Sequence, residues 1–502
     1  MSDSPYAAKM EQLQGLDASF VYCETPTMHL HVCGLLVLDP STMASGWSFE
    51  TFRSMLHARL PQIAAVRQKL VPAPLHVSRP FWVDDRDLDI DEHLHRVTAA
   101  PPGDDAVLAA LAGDIASWPL RRDRPLWDIW VIEGLSGGRV GVIVKMHHST
   151  IDGVSGANIM GRLFDPEPVH EFAATGEGWR SARPPRQLEL LGRGLASRLS
   201  EPWELALLVP RTAARLASTV WGVGHRGPTA GPVAAPFTAP RTSFNATVTG
   251  RRSVAFVDIP LAAVKQVKDR TRVTVNDVVT AVVGGALRCY LEDRGELPDR
   301  SLIAAAPVSV HGQTDERGGT TKVSVMFSSL ATDEKDPLAR LRAVASANGQ
   351  AKEIHRMVGA DTLMRWAEHF WLNAFGLGAR LYSTLHLAEH HPVVHNLILS
   401  NVPGPTIPLY MAGARLVGLY PLGPITDGAG LNVTVLSQGD RVGFGLIACP
   451  DLVPRIWDLA DAVPDALREL VAATEGPGRG RPAERRSRAH QPSGTAEGMP
   501  KG

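Results

Sequence analysis

The residues best suited to do chemistry stand together in His147-His148-Ser149-Thr150-Ile151-Asp152-Gly153. A neutral imidazole has a pKa near 7, which suits it to take the proton of an alcohol, and a positioned base raises a rate on the order of 10²- to 10⁴-fold. A lone histidine would be read as an incidental loop residue. Two adjacent histidines, followed at fixed spacing by Asp-Gly, point to a catalytic base. Asp152 is four residues after His148. At that spacing it can order the turn or accept a local hydrogen bond, and Gly153 allows a backbone angle that a side chain would forbid.

A strand must carry these histidines. Residues 127–135 read as one strand, Ser136-Gly137-Gly138-Arg139 as a turn, and 140–146 as the return strand that delivers the pair. Upstream, 29–38 reads as a buried strand and 49–60 as a helix. A further helix starts at Asp104, with Val107, Leu108, Leu111 and Ile115 on one face. After Gly153 a helix turns Ile159, Met160, Leu163 and Phe164 inward. Residues 165–240 are rich in Pro, Gly, Ala and Arg. There, Leu188, Leu191, Leu195 and Leu199 mark one helical face of a connector. The second half begins near Phe244. Its strands are 253–259, 302–310, 323–330, 397–401, 431–436 and 442–447; its helices are one capped by Asn276, a broken stretch over 337–371, and 453–473. The chain is therefore mixed α/β, divided into 1–165, a helical connector 166–240, a second half 241–474, and a basic tail 475–502 expected to be disordered.

Composition narrows the function classes. The 502 residues carry a net charge of -1, so nothing suggests nucleic acid. No apolar run reaches the roughly 18 residues of a spanning helix. Met1-Ser2-Asp3-Ser4-Pro5 lacks the basic start and apolar core of a secretory leader. The four cysteines (Cys23, Cys33, Cys289, Cys449) are scattered, which implies neither a disulfide framework nor a metal knuckle. The expected compartment is the cytoplasm, with peripheral contact at the inner membrane face or lipid droplets as a further expectation.

Other signals have competing readings. Asn276 and Asp277 could hold an oxyanion or order the site, but a helix cap and a first-turn acid is the preferred reading. Ser400 and Asn401 end a strand before Pro403-Gly404, where a donor could face a developing oxyanion; turn chemistry accounts for them equally well. Arg251 and Arg252 could meet phosphates or simply face water. His386-Leu387-Ala388-Glu389-His390 matches H-x-x-E-H, yet it ends a helix and is read as a solvated end, so no metal is expected. Gly443-Phe444-Gly445 begins a G-x-G-x-x-A run inside a strand, the wrong place for a dinucleotide. Connector helices around Trp203 and Trp221 could touch a lipid surface or pack the halves together.

The histidine run also resembles the H-H-x-x-x-D-G signature of the bacterial wax ester synthase/acyl-CoA:diacylglycerol acyltransferases. The resemblance is collinear over about residues 10 to 470, apart from the connector. It is carried by Leu16-Asp17-Ala18-Ser19-Phe20, Thr27-Met28-His29, Pro125-Leu126-Trp127, the strand from Gly250 to Phe256, Val275-Asn276-Asp277, Pro307-Val308-Ser309-Val310, Ser400-Asn401-Val402-Pro403-Gly404-Pro405 and Leu431-Asn432-Val433-Thr434-Val435. The resemblance implies two halves like chloramphenicol acetyltransferase and the condensation domains, with a substrate tunnel between them. It implies His148 as base, His147 as its support and Asp152 as structural. The implied reaction moves a long-chain acyl group from acyl-CoA, a co-substrate, to diacylglycerol or a long-chain alcohol, with no cofactor. Two alternatives remain open from sequence: another acyl donor or acceptor, such as a carrier-protein thioester or a polyketide alcohol, or a non-catalytic lipid-binding relative.

Overall fold

The computed structural model describes residues 11–13, 15–43, 46–150, 159, 161–169, 185–196, 234–310, 322–358 and 372–475. Asp152, Gly153, Met160, Leu199, Trp203, Trp221 and the tail lie outside the described residues. Two six-stranded sheets dominate the rest. In the first, β1 (His31–Asp39) and β3 (Trp127–Glu133) flank β4 (Val140–His147) in antiparallel pairing, and β2 (Leu94–Thr98) runs parallel to β3. The expected hairpin over 127–146 is therefore present, and its return strand ends on His147. In the second sheet, β5 (Ser253–Pro260), β6 (Ile303–Val310), β7 (Lys322–Ser329) and β8 (Leu397–Val402) join the hairpin of β10 (Leu431–Gln438) and β11 (Arg441–Ala448). The spatial order is β7-β6-β8-β10-β11-β5.

One strand crosses between the halves. β9 (Ala414–Leu422) belongs to the second half in sequence, yet it pairs antiparallel with β1 in the first sheet, Leu419 opposite Leu36. Its far end passes over β11. A Cβ added to Gly445 would lie 2.1 Å from the Pro421 carbonyl oxygen, so only glycine permits that approach. The Gly443-Phe444-Gly445 run is thus a site of close backbone contact.

Helices cover both faces of the first sheet. α2 (Phe49–Arg59) is capped by Ser48, which accepts from Thr51 N–H, and it buries Phe52, Met55 and Leu56 against Val131 and Val142. α3 (Asp105–Ser117) is capped by Asp104, as its sequence indicates, and packs Leu108, Ala112 and Ile115 against Leu35 and Ile143. Each of the Leu, Ile, Val, Met and Phe side chains among them contributes about 1.5–3 kcal/mol on burial. In the second half, α6 (Val275–Asp293) buries Val278, Val279, Val282, Val283, Ala286 and Leu287. It packs on α7 (Pro337–Val358) and α9 (Ile456–Glu475).

Two expectations are corrected. Asn276 does not cap α6; Thr274 does, forming a capping box in which Asp277 accepts from the Thr274 N–H at 2.9 Å. The reason is register: a cap side chain must reach the N–H three residues on, and Thr274 has an acid there. In the connector, the helix over 187–196 does not turn Leu188 and Leu195 inward. They are exposed, while Leu190 packs with Ala73, Phe81 and Val83.

Candidate active site

β4 ends at His147, directly opposite His31 on β1. A single 3-10 turn, His148–Thr150, follows. The turn is closed by Thr150, whose hydroxyl donates to the His147 carbonyl at 2.7 Å. His148 is anchored at its backbone, where its N–H donates to the Leu30 carbonyl at 2.9 Å. Its ring stacks on Phe20 with centroids 4.0 Å apart. Phe20 lies on α1 (Gly15–Cys23), so the opening block of the sequence forms one wall of the site.

The two imidazoles are held differently. His147 is buried and its tautomer is fixed. Nδ1 accepts from the Ser149 N–H at 3.1 Å and, at 2.6 Å, from the Ser149 hydroxyl, so the ring proton sits on Nε2. Nε2 faces Glu24 Oε1 at 3.1 Å. The approach is bent, so the contact is electrostatic rather than a well-aligned hydrogen bond. Burial pushes the His147 pKa down, and Glu24 only partly offsets it.

Among the described residues, no carboxylate pairs with His148 in this way. Its Nδ1 is buried and has no well-aligned partner among them. Burial, reinforced by the neighbouring His147, pushes its pKa down to about 4, and a poorly aligned interaction with its own backbone carbonyl does little to resist. The ring is therefore neutral at pH 7, the state a general base needs.

Glu24 braces both residues. It receives the Leu30 N–H at 3.2 Å, and Leu30 in turn receives the His148 N–H. Arg122 pairs with its second oxygen. Burial works to raise the Glu24 pKa, but His147 and Arg122 outweigh it and the carboxyl falls to about 2. Sequence reasoning did not single out Glu24 or Arg122. The only available signal was a carboxylate set between Cys23 and Thr25, just past an opening block whose other charge is Asp17. Lys145 was missed as well. It is buried one pleat before His147, and its ammonium donates to the carbonyls of Ile115, at 2.7 Å, and Trp118 at the end of α3. His31 Nε2 donates to Ala116 O there at 2.8 Å. A cation at a helix C-terminus is favourable, and these bonds fix α3 against the strand that carries the histidines.

The remaining site expectations divide. Asn401 Nδ2 donates to Asn276 Oδ1 at 3.1 Å, so two motifs 125 residues apart meet. Ser400 pairs opposite Thr434 on β10. Asp277 is buried; beside the capping box it accepts from Asn348 Nδ2 at 2.7 Å. Arg252 is buried and spends its guanidinium on the carbonyls of Thr27, Thr249 and Arg251. That leaves Arg251, at the surface and paired with Asp451, as the cation of the two that faces solvent. His386 is exposed and lies 3.5 Å from Glu389, and no three metal-ligating side chains converge among the described residues. A cavity of about 310 Å³ lies between β9 and the β10–β11 turn, lined by Asp258, Arg415 and Arg441 among others; none of its residues belongs to the histidine run.

Comparison with known proteins gives the family and the fold. The wax ester synthase/diacylglycerol acyltransferase catalytic domain matches residues 13–279, and the C-terminal domain of the same family matches 320–471. A Mycobacterium tuberculosis H37Rv protein, provisionally named a diacylglycerol O-acyltransferase (Rv1760), is 40% identical over 94% of this chain and 92% of its own length. The structure of the wax ester synthase/diacylglycerol acyltransferase from Marinobacter aquaeolei VT8 superposes with a TM-score of 0.65 at 26% identity, covering 93% of this chain and all (100%) of that one. The first condensation domain of the calcium-dependent antibiotic synthetase shares the fold at a TM-score of 0.55 and 14% identity, over 93% of this chain and 97% of that one. The two halves are thus of the chloramphenicol acetyltransferase and condensation-domain type. The chain belongs to the wax ester synthase/diacylglycerol acyltransferase family of acyltransferases.

Proposed function

We propose that the protein transfers a long-chain acyl group from acyl-CoA to a lipid alcohol, diacylglycerol or a long-chain alcohol, with His148 as general base. The observation that carries the reading is a neutral, partly buried imidazole at a strand end, anchored through its backbone and stacked on Phe20. Diacylglycerol as acceptor is supported by the name given to the mycobacterial relative, and the long-chain alcohol by that of the Marinobacter enzyme.

With Nδ1 buried, Nε2 is the nitrogen left to meet an acceptor hydroxyl; the family resemblance implies that a tunnel between the halves would deliver it. The alcohol oxygen attacks the thioester carbonyl as its proton passes to Nε2. The tetrahedral intermediate collapses, the C–S bond breaks, and the leaving CoA thiolate takes the proton back from the imidazolium. No covalent acyl-enzyme and no cofactor are needed. His147, locked by Ser149 and Glu24, fixes the start of the turn that presents His148. Asn401 and Asn276 are candidate donors toward the oxyanion; the geometry that supports this is their mutual contact at a strand end.

The test is release of free CoA from palmitoyl-CoA with diolein, hexadecanol or water as acceptor. Turnover with either lipid alcohol well above the water rate supports the reading. No acceleration by either alcohol would refute it.

A further inference from the structure

α8 (Leu372–Thr384) presents the wrong side for a water-facing helix. Leu377 is 60% exposed, Leu381 49%, and Leu385, one residue past the helix, 57%. The Leu385 N–H still donates to the Leu381 carbonyl, so all three leucines lie on one stripe at four-residue spacing. Gly376 and Ser383 point inward instead. The inward glycine lets the helices approach closely: a Cβ there would sit 3.2 Å from the Tyr22 carbonyl of α1, a tight contact. Surface helices normally turn their leucines to the core, and a contiguous outward apolar stripe marks a contact surface. The charge pattern says which kind. α8 carries Arg380 between its leucines and no carboxylate. His386 and His390, both exposed, follow it, and the carboxylate between them, Glu389, lies against His386.

We infer that α8 is the surface on which the enzyme rests on an anionic lipid layer. The inference builds on the proposed lipid acceptor, since such a layer is where that alcohol is dissolved. Three leucines fall well short of the roughly 800 Å² per partner that a stable protein pair buries. A lipid layer needs only apolar side chains dipped below the headgroups and a cation level with them. The position fits the task. α8 packs on α1, and α1 carries Phe20, whose ring stacks on His148. The stripe is therefore one helix away from the base.

The experiment is co-sedimentation of the full chain with phosphatidylcholine vesicles containing about 30 mol% phosphatidylglycerol. The comparison protein is the triple variant Leu377→Ser, Leu381→Ser, Leu385→Ser. The wild type should bind, and the variant should bind roughly 30-fold more weakly. With decanoyl-CoA and hexanol, both free in solution, the two proteins should turn over equally. Equal vesicle binding by both, or no binding by the wild type, overturns the inference. So does a wild-type dimer that the substitutions dissociate in sedimentation velocity without any vesicle binding. Failure of the proposed reaction would look different: no alcohol would accelerate CoA release in either protein, while the difference in vesicle binding persisted.

Discussion

Glu24→Ala removes the group that ties the opening block to the histidine turn. The Leu30 N–H would lose its acceptor, now at 3.2 Å, and the His147 Nε2–H would lose the carboxylate it faces at 3.1 Å without a well-aligned hydrogen bond. A buried donor left without a partner costs about 1–3 kcal/mol, so the variant should lose roughly 1–3 kcal/mol of stability. Arg122 is 40% exposed at its side chain and can turn to water, so it adds little. The larger effect is on rate. Leu30 holds the His148 backbone and Glu24 holds Leu30, so the base is expected to drift. A shift of about 1 Å in a reacting group costs on the order of 100-fold. The assay is CoA release under saturating acyl-CoA, with urea unfolding in parallel. The expected result is a kcat lower by about 30- to 100-fold with KM little changed. Glu24→Gln keeps an acceptor oxygen and should recover most of that loss. A Glu24→Ala protein with wild-type kcat would refute the bracing argument, because both histidines would then hold their positions unaided.

Two further outcomes follow from the same geometry. His148 is held down near 4 by burial and stays neutral above that value, so activity should persist as pH falls through the ordinary histidine range. The acid limb of kcat/KM should lie below about pH 5.5, measured where the fold is intact, and a limb at 6.5 or above would contradict the buried setting of the ring. Asp277→Ala breaks the α6 capping box and strands the Asn348 amide, so urea unfolding should show a loss of roughly 2–4 kcal/mol. The rate per folded molecule should change little if Asp277 is structural; a collapse of kcat at unchanged stability would instead place it in the chemistry.

What the sequence disclosed, and what it withheld, follows from contact distance along the chain. The histidine pair was legible because its parts are contiguous and the hairpin before it is local: strand, turn, strand. The α3 cap at Asp104 was legible for the same reason. The partnership of Glu24 with His147 was not, because 123 residues separate them and no spacing rule links them. The exchange of β9 into the first sheet was hidden likewise, since its alternation says that a strand exists but not which sheet it joins. Arg252 illustrates burial. An arginine at the start of a strand reads as a surface cation, and only the fold shows that three carbonyls occupy it. The connector leucines show the limit of periodicity. The face of Leu188 and Leu195 was chosen by count, whereas Leu190 is the residue that meets a cluster. The α6 cap shows a local error: Asn276 was a plausible cap by type, but Thr274 has its acid at the required spacing and takes the position.

The proposed chemistry requires a proton to leave the acceptor hydroxyl for His148. The direct measurement is CoA release by His148→Ala, with palmitoyl-CoA and the best acceptor, on protein whose unfolding midpoint matches the wild type. The predicted result is a kcat reduced at least about 10³-fold with vesicle binding intact. A folded His148→Ala protein that turns over within a few-fold of the wild type would contradict it.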